Sequence, residues 1–186
     1  TACKVEDVDA VPGTADDREA IEGWTVKLKK DGVVVDTKLT GEDGCYTWTN
    51  LDPGPTYAVE EVVPAGWYAW TPTIKDFGPS ESGDEFSYTF INSERVKVTA
   101  CKLEDLDGDI VTEDDRVVLS GWPVYYSIGG VRQEPVAYTG VDGCYTWTNL
   151  VPGLVYDVEE DVMTGWINLT PTEYMFERSV SGGEYS

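Results

Sequence analysis

The chain contains no histidine, and its 13 lysine and arginine residues are far outnumbered by 35 aspartate and glutamate residues. Without histidine, the commonest general base at neutral pH is missing, and so is a mixed Cys/His metal site. The sequence also lacks a glycine-rich phosphate loop and a serine nucleophile setting, so we expect no catalysis. Because basic residues are scarce, phosphate polymers are poor partners, and we expect no binding to nucleic acid.

Long apolar runs and helical periodicity are missing as well. No segment has the length of a membrane-spanning helix and no signal peptide is apparent, so we interpret the chain as a mature product or excised piece that is not membrane-spanning. Hydrophobic residues still make up 41% of the chain. They occur in short runs that alternate with polar residues and are separated by glycine and proline, which predicts an all-β protein. The net charge of −22 suits either solubility outside the cell or binding of cations, and composition leaves both open.

Two copies of one domain type make up the chain. The string GCYTWTNL occurs at 44–51 and again at 143–150, and TACKVED at the start returns as TACKLED from Thr99. We therefore predict a first repeat at 1–94 and a second at 95–186, joined near Asn92 with almost no spacer. Tandem arrays of this kind usually build length rather than active sites.

Each repeat shows the signals of about seven short strands, as in a β-sandwich. The predicted strands are 95–103, 121–128, one that ends near Tyr138, 144–148, 156–160 and, in the first repeat, a closing strand at 85–91. In the first of these, Cys101 and Leu103 share a face that we expect to point inward, with Lys102 outward. The second repeat stops at the counterpart of Ser87, so we expect it to lack its closing strand in this fragment. Truncation explains this, and exchange of a strand with a neighbouring molecule is the alternative.

The four cysteines occur at matching places, two in each repeat. An even count at repeated positions predicts one disulfide per repeat, Cys3 with Cys45 and Cys101 with Cys144, although free buried thiols are the alternative. Disulfides imply an oxidising environment, so we expect an extracellular or cell-surface location. Closing a loop of about 42 residues would stabilise a repeat by roughly 4 kcal/mol on the chain-entropy model.

A family resemblance rests on residues 44–67, which read GCYTWTNLDPGPTYAVEEVVPAGW. This stretch resembles the pattern G-x-Y-x-F-x-N-L-x-P-G-x-Y-x-V-x-E-x-x-P-x-G-W of B-type repeat domains in microbial surface proteins. Those domains include serine-aspartate-repeat B-type and collagen-adhesin B-type modules. The resemblance implies tandem Ig-like, transthyretin-like Greek-key β-sandwiches with a structural role in a stalk or fibre, and no enzyme activity.

The resemblance also implies that each repeat is stabilised by Ca²⁺ or by an isopeptide bond. Alternate carboxylates in a tight loop suit Ca²⁺, and such a loop follows the first strand of each repeat. We predict a Ca²⁺ site in the second repeat from Asp105, Asp107, Asp109, Glu113, Asp114 and Asp115. A weaker site is predicted in the first repeat from Asp7, Asp9, Asp16 and Asp17. Ile110 and Arg116 occupy the places where an EF-hand needs Gly and Glu, so the loop is not an EF-hand. Solvated acidic loops without an ion are the alternative.

The isopeptide alternative would use a lysine, an asparagine and a promoting glutamate. Glu61 and Glu160 stand where the family places that glutamate, and Asn92 ends the last strand of the first repeat. Lys4 and Lys102 alternate with the cysteines, so they would face solvent if the cysteines face the core. Only a desolvated lysine is neutral enough to attack an amide. The sequence therefore favours the disulfide over the isopeptide bond.

We predict an extracellular structural protein, a stalk or filament (pilus-like) building block. Its expected partners are copies of itself or neighbouring domains of the same chain. The alternatives are an adhesin that binds protein or glycan, or accessory domains of a larger secreted enzyme. For an adhesin, Trp70, Tyr125 or Tyr126 would supply surface contacts. Asn168 begins a glycosylation sequon, a short pattern with many false positives.

Overall fold

The computed structural model describes residues 1–14, 17–111 and 115–186. It divides the chain into two compact units, Thr1–Glu94 (unit one) and Arg95–Ser186 (unit two). The described residues form strands and turns, and the predicted all-β class is confirmed. Within the described ranges, no helix has the length and apolarity that a bilayer crossing requires.

The described part of unit one forms nine strands in two sheets. They are β1 (Ala2–Asp7), β2 (Arg18–Ala20), β3 (Thr25–Lys30), β4 (Val33–Leu39), β5 (Cys45–Tyr46), β6 (Thr56–Glu61), β7 (Trp67–Ala69), β8 (Ile74–Pro79) and β9 (Tyr88–Glu94). One sheet has the order β2-β1-β9-β7, with β5 also paired to β1, and the other has the order β4-β3-β6-β8. The first and last strands, β1 and β9, are parallel neighbours, paired from Ala2 with Tyr88 to Glu6 with Asn92.

Both sheets of unit one contribute to a single core. Ala2 and Phe90 come from the first sheet, Val26 and Val59 from the second, and each is at most 1% exposed. Trp24 packs edge-on against Trp67 in the same cluster. Unit one is therefore a β-sandwich whose layers meet through alternate side chains of their strands.

The described part of unit two forms ten strands in three sheets. They are β10 (Val96–Cys101), β11 (Leu103–Asp105), β12 (Arg116–Val118), β13 (Pro123–Ile128), β14 (Val131–Arg132), β15 (Ala137–Tyr138), β16 (Cys144–Leu150), β17 (Val155–Glu160), β18 (Glu173–Arg178) and β19 (Glu184–Tyr185). The largest sheet has the order β14-β13-β17-β18, β10 lies between β16 and β19 in another, and β11 and β12 form the third, which is a two-stranded pair. Val98, Val124 and Tyr156 join one core from the first two of these sheets.

The predicted face of the first strand was wrong. Lys4 is fully buried, and in unit two Leu103 is 46% exposed, while Cys101 is exposed. The cysteines lie on the outer face because they bridge directly opposed residues of neighbouring strands, which requires no contact with the core. A phase error of one residue inverts every side chain of a strand.

Other strand boundaries also differ from the predictions. The closing strand of unit one runs from Tyr88 to Glu94, three residues later than expected at each end. The first strand of unit two is interrupted at Lys102, between β10 and β11. The strand predicted to end near Tyr138 is split into β14 and β15 around Pro135, which has no backbone N–H for a ladder hydrogen bond.

Candidate functional sites

Each unit contains one disulfide on the outer face of its first strand. Cys3 of β1 is bonded to Cys45 of β5, and Cys101 of β10 to Cys144 of β16. Both pairs are directly opposed in antiparallel register, with Cα atoms 4.0 Å apart. The bonds close loops of 42 and 43 residues, so all four cysteines of the chain are accounted for.

A buried polar triad joins the two sheets of unit one. Lys4 comes from β1, Glu61 from the end of β6 and Asn92 from β9, and none is more than 3% exposed. The Lys4 Nζ lies 3.3 Å from Glu61 Oε2. The Asn92 Nδ2–H donates to the same oxygen at 3.2 Å. An amine, a carboxylate and a carboxamide thus converge in a site closed to solvent.

Burial brings the two charged members of the triad closer to neutrality. Desolvation lowers the pKa of Lys4 to about 8, although the charge of Glu61 opposes the shift. Desolvation likewise raises the pKa of Glu61, against the influence of Lys4 and the Asn92 hydrogen bond. The Lys4 Nζ also lies 4.5 Å from the centre of the Trp24 ring. A neutral amine beside a protonated carboxyl is therefore accessible, which is the state in which an amine can attack a carboxamide.

Sequence reasoning placed the lysines outside and so missed this triad, although a usable signal was present. In unit two, Val96, Val98 and Ala100 alternate on the buried face. Extending that alternation by two residues places Lys102 inward. The apolar residues before the cysteine were better evidence for the phase of the strand than the cysteine itself.

Unit two contains two members of the same triad. Lys102 Nζ lies 2.7 Å from Glu160 Oε2 and 4.7 Å from the centre of the Trp122 ring. Their side chains are 17% and 12% exposed, whereas Lys4 and Glu61 are completely buried. The position that corresponds to Asn92 falls beyond Ser186.

The acidic loops bring three carboxylates together in each unit. The groups are Asp7, Asp9 and Asp17 in unit one and Asp105, Asp107 and Asp115 in unit two, with candidate ligand atoms within 4.8 Å of one another. Asp109 is not in this group, and its carboxylate accepts the backbone N–H of Val111. The predicted ligands Asp16, Glu113 and Asp114 lie outside the described residues.

The donor set of each loop fits a hard cation. Asp7 is fully buried, neither of its carboxylate oxygens has a hydrogen-bond partner, and burial raises its pKa to about 6. Buried oxygens without a hydrogen bond also occur on Asp17, Asp105 and Asp115. One arginine approaches each group, at 3.8 Å in Arg18–Asp7 and 3.6 Å in Arg116–Asp105. Converging carboxylate oxygens with free lone pairs are the ligands that Ca²⁺ takes.

The remaining candidates have ordinary environments. The Trp70 Nε1–H donates to Ser93 Oγ at 2.8 Å, and its ring packs against Tyr68. The guanidinium of Arg132 lies over the Tyr125 ring, and Tyr126 packs against Trp147. Asn168 is exposed, and its glycosylation stays a prediction.

The comparisons with known proteins match residues in both units. A model of the SdrD B-like domain matches residues 5–110. Serine-aspartate repeat-containing protein D of Staphylococcus aureus (strain Newman) is 29% identical over 174 residues, which cover 84% of this chain and 13% of that protein. The chain thus spans about an eighth of the length of this curated relative.

Two solved structures also match most of this chain. A streptococcal ancillary pilin is 22% identical with a TM-score of 0.42, covering 98% of this chain and 60% of that one. The B1 repeat unit of the collagen-binding surface protein of Staphylococcus aureus is 17% identical with a TM-score of 0.32, covering 88% and 85%. The family model matches more than half of the sequence, and the chain belongs to the SdrD B-like domain family.

Proposed function

We propose that this chain is a load-bearing structural module of an extracellular surface protein, a segment of a stalk or pilus-like filament. Family membership supports a structural or adhesin-like surface module, and the two disulfides agree with a location outside the cell. The net charge of −22 favours solubility of such a module. The expected partners are neighbouring domains of the same polypeptide or further copies of the chain.

The observation that carries this proposal is the arrangement of the terminal strands of unit one. β1 and β9 are parallel neighbours, so a force applied to the two ends of the unit shears their hydrogen bonds together rather than one at a time. The buried Lys4, Glu61 and Asn92 lie at this junction. Resistance to extension is therefore concentrated where load enters and leaves the unit.

We further propose that Lys4 and Asn92 become joined by an isopeptide bond. The neutral Lys4 amine attacks the side-chain carbonyl carbon of Asn92, and Glu61 transfers the amine proton to the departing nitrogen. A C–N bond to Lys4 forms, the C–N bond to Nδ2 breaks, and ammonia leaves. The atoms balance without an oxidant or cofactor, and the disulfide stays in place as a second tie.

Pulling the chain by its two ends tests the structural proposal. With residues 4 and 92 joined, force passes across unit one through the new bond, so the unit should not lengthen. Unit two should still unfold and lengthen, except for residues 101–144, which its disulfide holds together. Single-molecule force spectroscopy under oxidising conditions should therefore show a single unfolding event from each molecule.

A Glu61→Gln variant provides the matched control. It should add a second event that releases residues 46–92, roughly 150 Å of chain, because the disulfide still holds residues 3–45. The Glu160→Gln variant should retain the wild-type pattern. Two events in the wild-type chain would contradict the proposed route of load through unit one.

Calcium is the second stabilising element that we propose, with one ion in each acidic loop. Asp7, Asp9 and Asp17 would hold the ion in unit one, and Asp105, Asp107 and Asp115 in unit two. The support is the set of buried oxygens without hydrogen bonds in both groups. A divalent cation would offset the repulsion among these carboxylates. The sequence-based ranking, with unit one weaker, stays a prediction.

Removing one carboxylate from a loop should remove one bound ion. We expect Ca²⁺ at about 100 times its Kd to stabilise a unit by about 2.7 kcal/mol, which raises its melting temperature by roughly 10–20 °C. Asp9→Ala should abolish this increase in unit one and Asp107→Ala in unit two, as calorimetry with Ca²⁺ or a chelator would show. Asp109→Ala is the control and should retain most of the increase. If the melting temperature of the wild-type chain is the same with Ca²⁺ and with chelator, the calcium proposal is excluded.

A further inference from the structure

The strand β4 of unit one presents a long and exposed sheet edge. It pairs with β3 on one side, and among the described residues no strand pairs with it on the other. β4 has seven residues, of which Val33, Val34, Val35 and Leu39 are each at least 44% exposed. The outer edge of such a strand has unpaired backbone N–H and C=O groups, and these can take up a further strand.

The equivalent edge of unit two is interrupted. Its strands β14 and β15 have two residues each, and Pro135 lies between them. Very short strands offer few backbone groups to an added strand, and a proline contributes no N–H. The continuous exposed edge is therefore a feature of unit one and not of the repeated fold.

Alternate residues of β4 direct their backbone groups away from β3. The Thr40 N–H donates to the Trp24 carbonyl oxygen at 3.0 Å, so the backbone groups of even-numbered residues point toward β3. Those of Thr37 and Leu39 therefore point outward. The Thr37 N–H donates to the Asp36 side-chain Oδ1 of its own strand at 2.9 Å, in agreement with this direction. These outward groups determine which residues can bond to a second strand.

The side chains of this edge are complementary to those of a second copy. When two β4 strands pair in antiparallel fashion about Thr37, Asp36 of each copy lies opposite Lys38 of the other, and Leu39 lies beside Val35. The two charged side chains are 37% and 41% exposed, so both are accessible. The pairing of β4 with β3 is regular from Asp36 to Leu39 and shifts by one residue at Val35. The alternation of faces therefore holds over the central residues.

The two charges also select this register. Moving the centre by one residue places Asp36 opposite Asp36 or Lys38 opposite Lys38, and like charges that are directly opposed destabilise a pair of strands. A lysine alone on an edge keeps copies apart, but a lysine that alternates with an aspartate permits one register. Asp36 is held at the edge because its carboxylate accepts the Trp48 Nε1–H at 3.0 Å.

We propose that β4 is a self-association edge through which two copies of this chain form an antiparallel dimer with two-fold symmetry. The sheets β4-β3-β6-β8 of the two copies become one sheet of eight strands. Because few residues of each copy are in contact, we expect a weak dimer with a Kd on the order of 100 µM. The pairing is independent of the load-bearing role proposed above. Its consequence, lateral association of neighbouring stalks on one surface, rests on that role.

Sedimentation of the complete chain over a range of concentrations tests the dimer. The solution should contain about 0.15 M salt, which screens the long-range repulsion between acidic chains within roughly 8 Å. Thr37→Pro should weaken association at least about tenfold, because it removes an outward N–H and leaves the bonds of Asp36 and Lys38 to β3 in place. Thr37→Ala is the matched control and should still dimerise. Hydrogen exchange at Thr37 and Leu39 should become slower as the concentration of the wild-type chain rises.

Exchange of the charges tests the register. Lys38→Glu and Asp36→Lys should each weaken association at least about tenfold, because each opposes like charges at two places in the dimer. A mixture of these two variants should associate again, since opposite charges then face each other, and this rescue excludes misfolding as the cause of the loss.

Three results would overturn the proposal. One is a wild-type chain that stays monomeric at about 1 mM, ten times the expected Kd. Another is a Thr37→Pro variant that dimerises as well as the wild-type chain, because the contact then lies elsewhere. The third is a mixture of the two charge variants that stays monomeric while both keep the wild-type melting temperature. None of these results bears on the force experiment proposed for unit one.

Discussion

The measured intact mass of the purified chain is expected to be lower, by the mass of one ammonia, than the mass calculated from its sequence with two disulfides. The deficit follows from the proposed bond between Lys4 and Asn92. After digestion, the peptide that contains Lys4 should be found joined to the peptide that contains Asn92. Glu61→Gln should restore the missing mass, because a carboxamide cannot carry the proton from the amine to the departing nitrogen.

The same variant should lose much of the stability of unit one. The disulfide already joins residues 3 and 45, so a bond between residues 4 and 92 closes roughly 47 further residues, to which the chain-entropy model attributes roughly 4 kcal/mol. On a unit of this size, that corresponds to a fall of roughly 15–30 °C in melting temperature. Glu160→Gln is the matched control, since it changes the equivalent glutamate in unit two and should leave the mass deficit in place. A wild-type chain of full mass would show that the triad is only a buried ion pair.

Reduction of the disulfides should produce the second large effect. Each bond closes 42 or 43 residues, for which the chain-entropy model predicts roughly 4 kcal/mol of stabilisation. Unit two should be the more sensitive, because the Lys4–Asn92 bond would still restrain unit one after reduction. Calorimetry with and without a reducing agent, with the thiols alkylated afterwards, measures the difference.

Serine variants separate the two disulfides. Cys101→Ser combined with Cys144→Ser should lower the melting temperature of unit two by roughly 15–30 °C and leave unit one unchanged. The corresponding pair of changes at Cys3 and Cys45 should have a smaller effect on unit one. Melting curves that are the same in oxidised and reduced protein would show that these bonds contribute no stability.

The prediction of the fold succeeded where the signal was repeated or local. Alternating short runs between glycines and prolines indicated strands, and the described residues are all-β. The closing strand was displaced by three residues because its ladder with β1 decides where it begins. Local composition around Glu85 does not contain that information, so strand ends were less well predicted than strand existence.

The candidate sites were predicted unevenly for a similar reason. Asp7, Asp9 and Asp17 lie close together along the chain, and their convergence follows from one loop. Lys4, Glu61 and Asn92 come from three strands and two sheets, and their convergence depends on how those sheets pack. The error in the phase of β1 then concealed the triad, since a lysine assigned to solvent is not considered as a nucleophile.

By itself, the sequence determined that this protein is a duplicated β module with paired cysteines, because repetition and alternation are properties of neighbouring residues. Only the tertiary structure decided which side chains of different strands meet inside a unit. A disulfide between neighbouring strands forms as readily outside the core as within it, so the paired cysteines did not show which face of the first strand is buried. The packing of two sheets placed Ala2 and Lys4 of β1 inward, and Lys4 was buried beside Glu61 and Asn92.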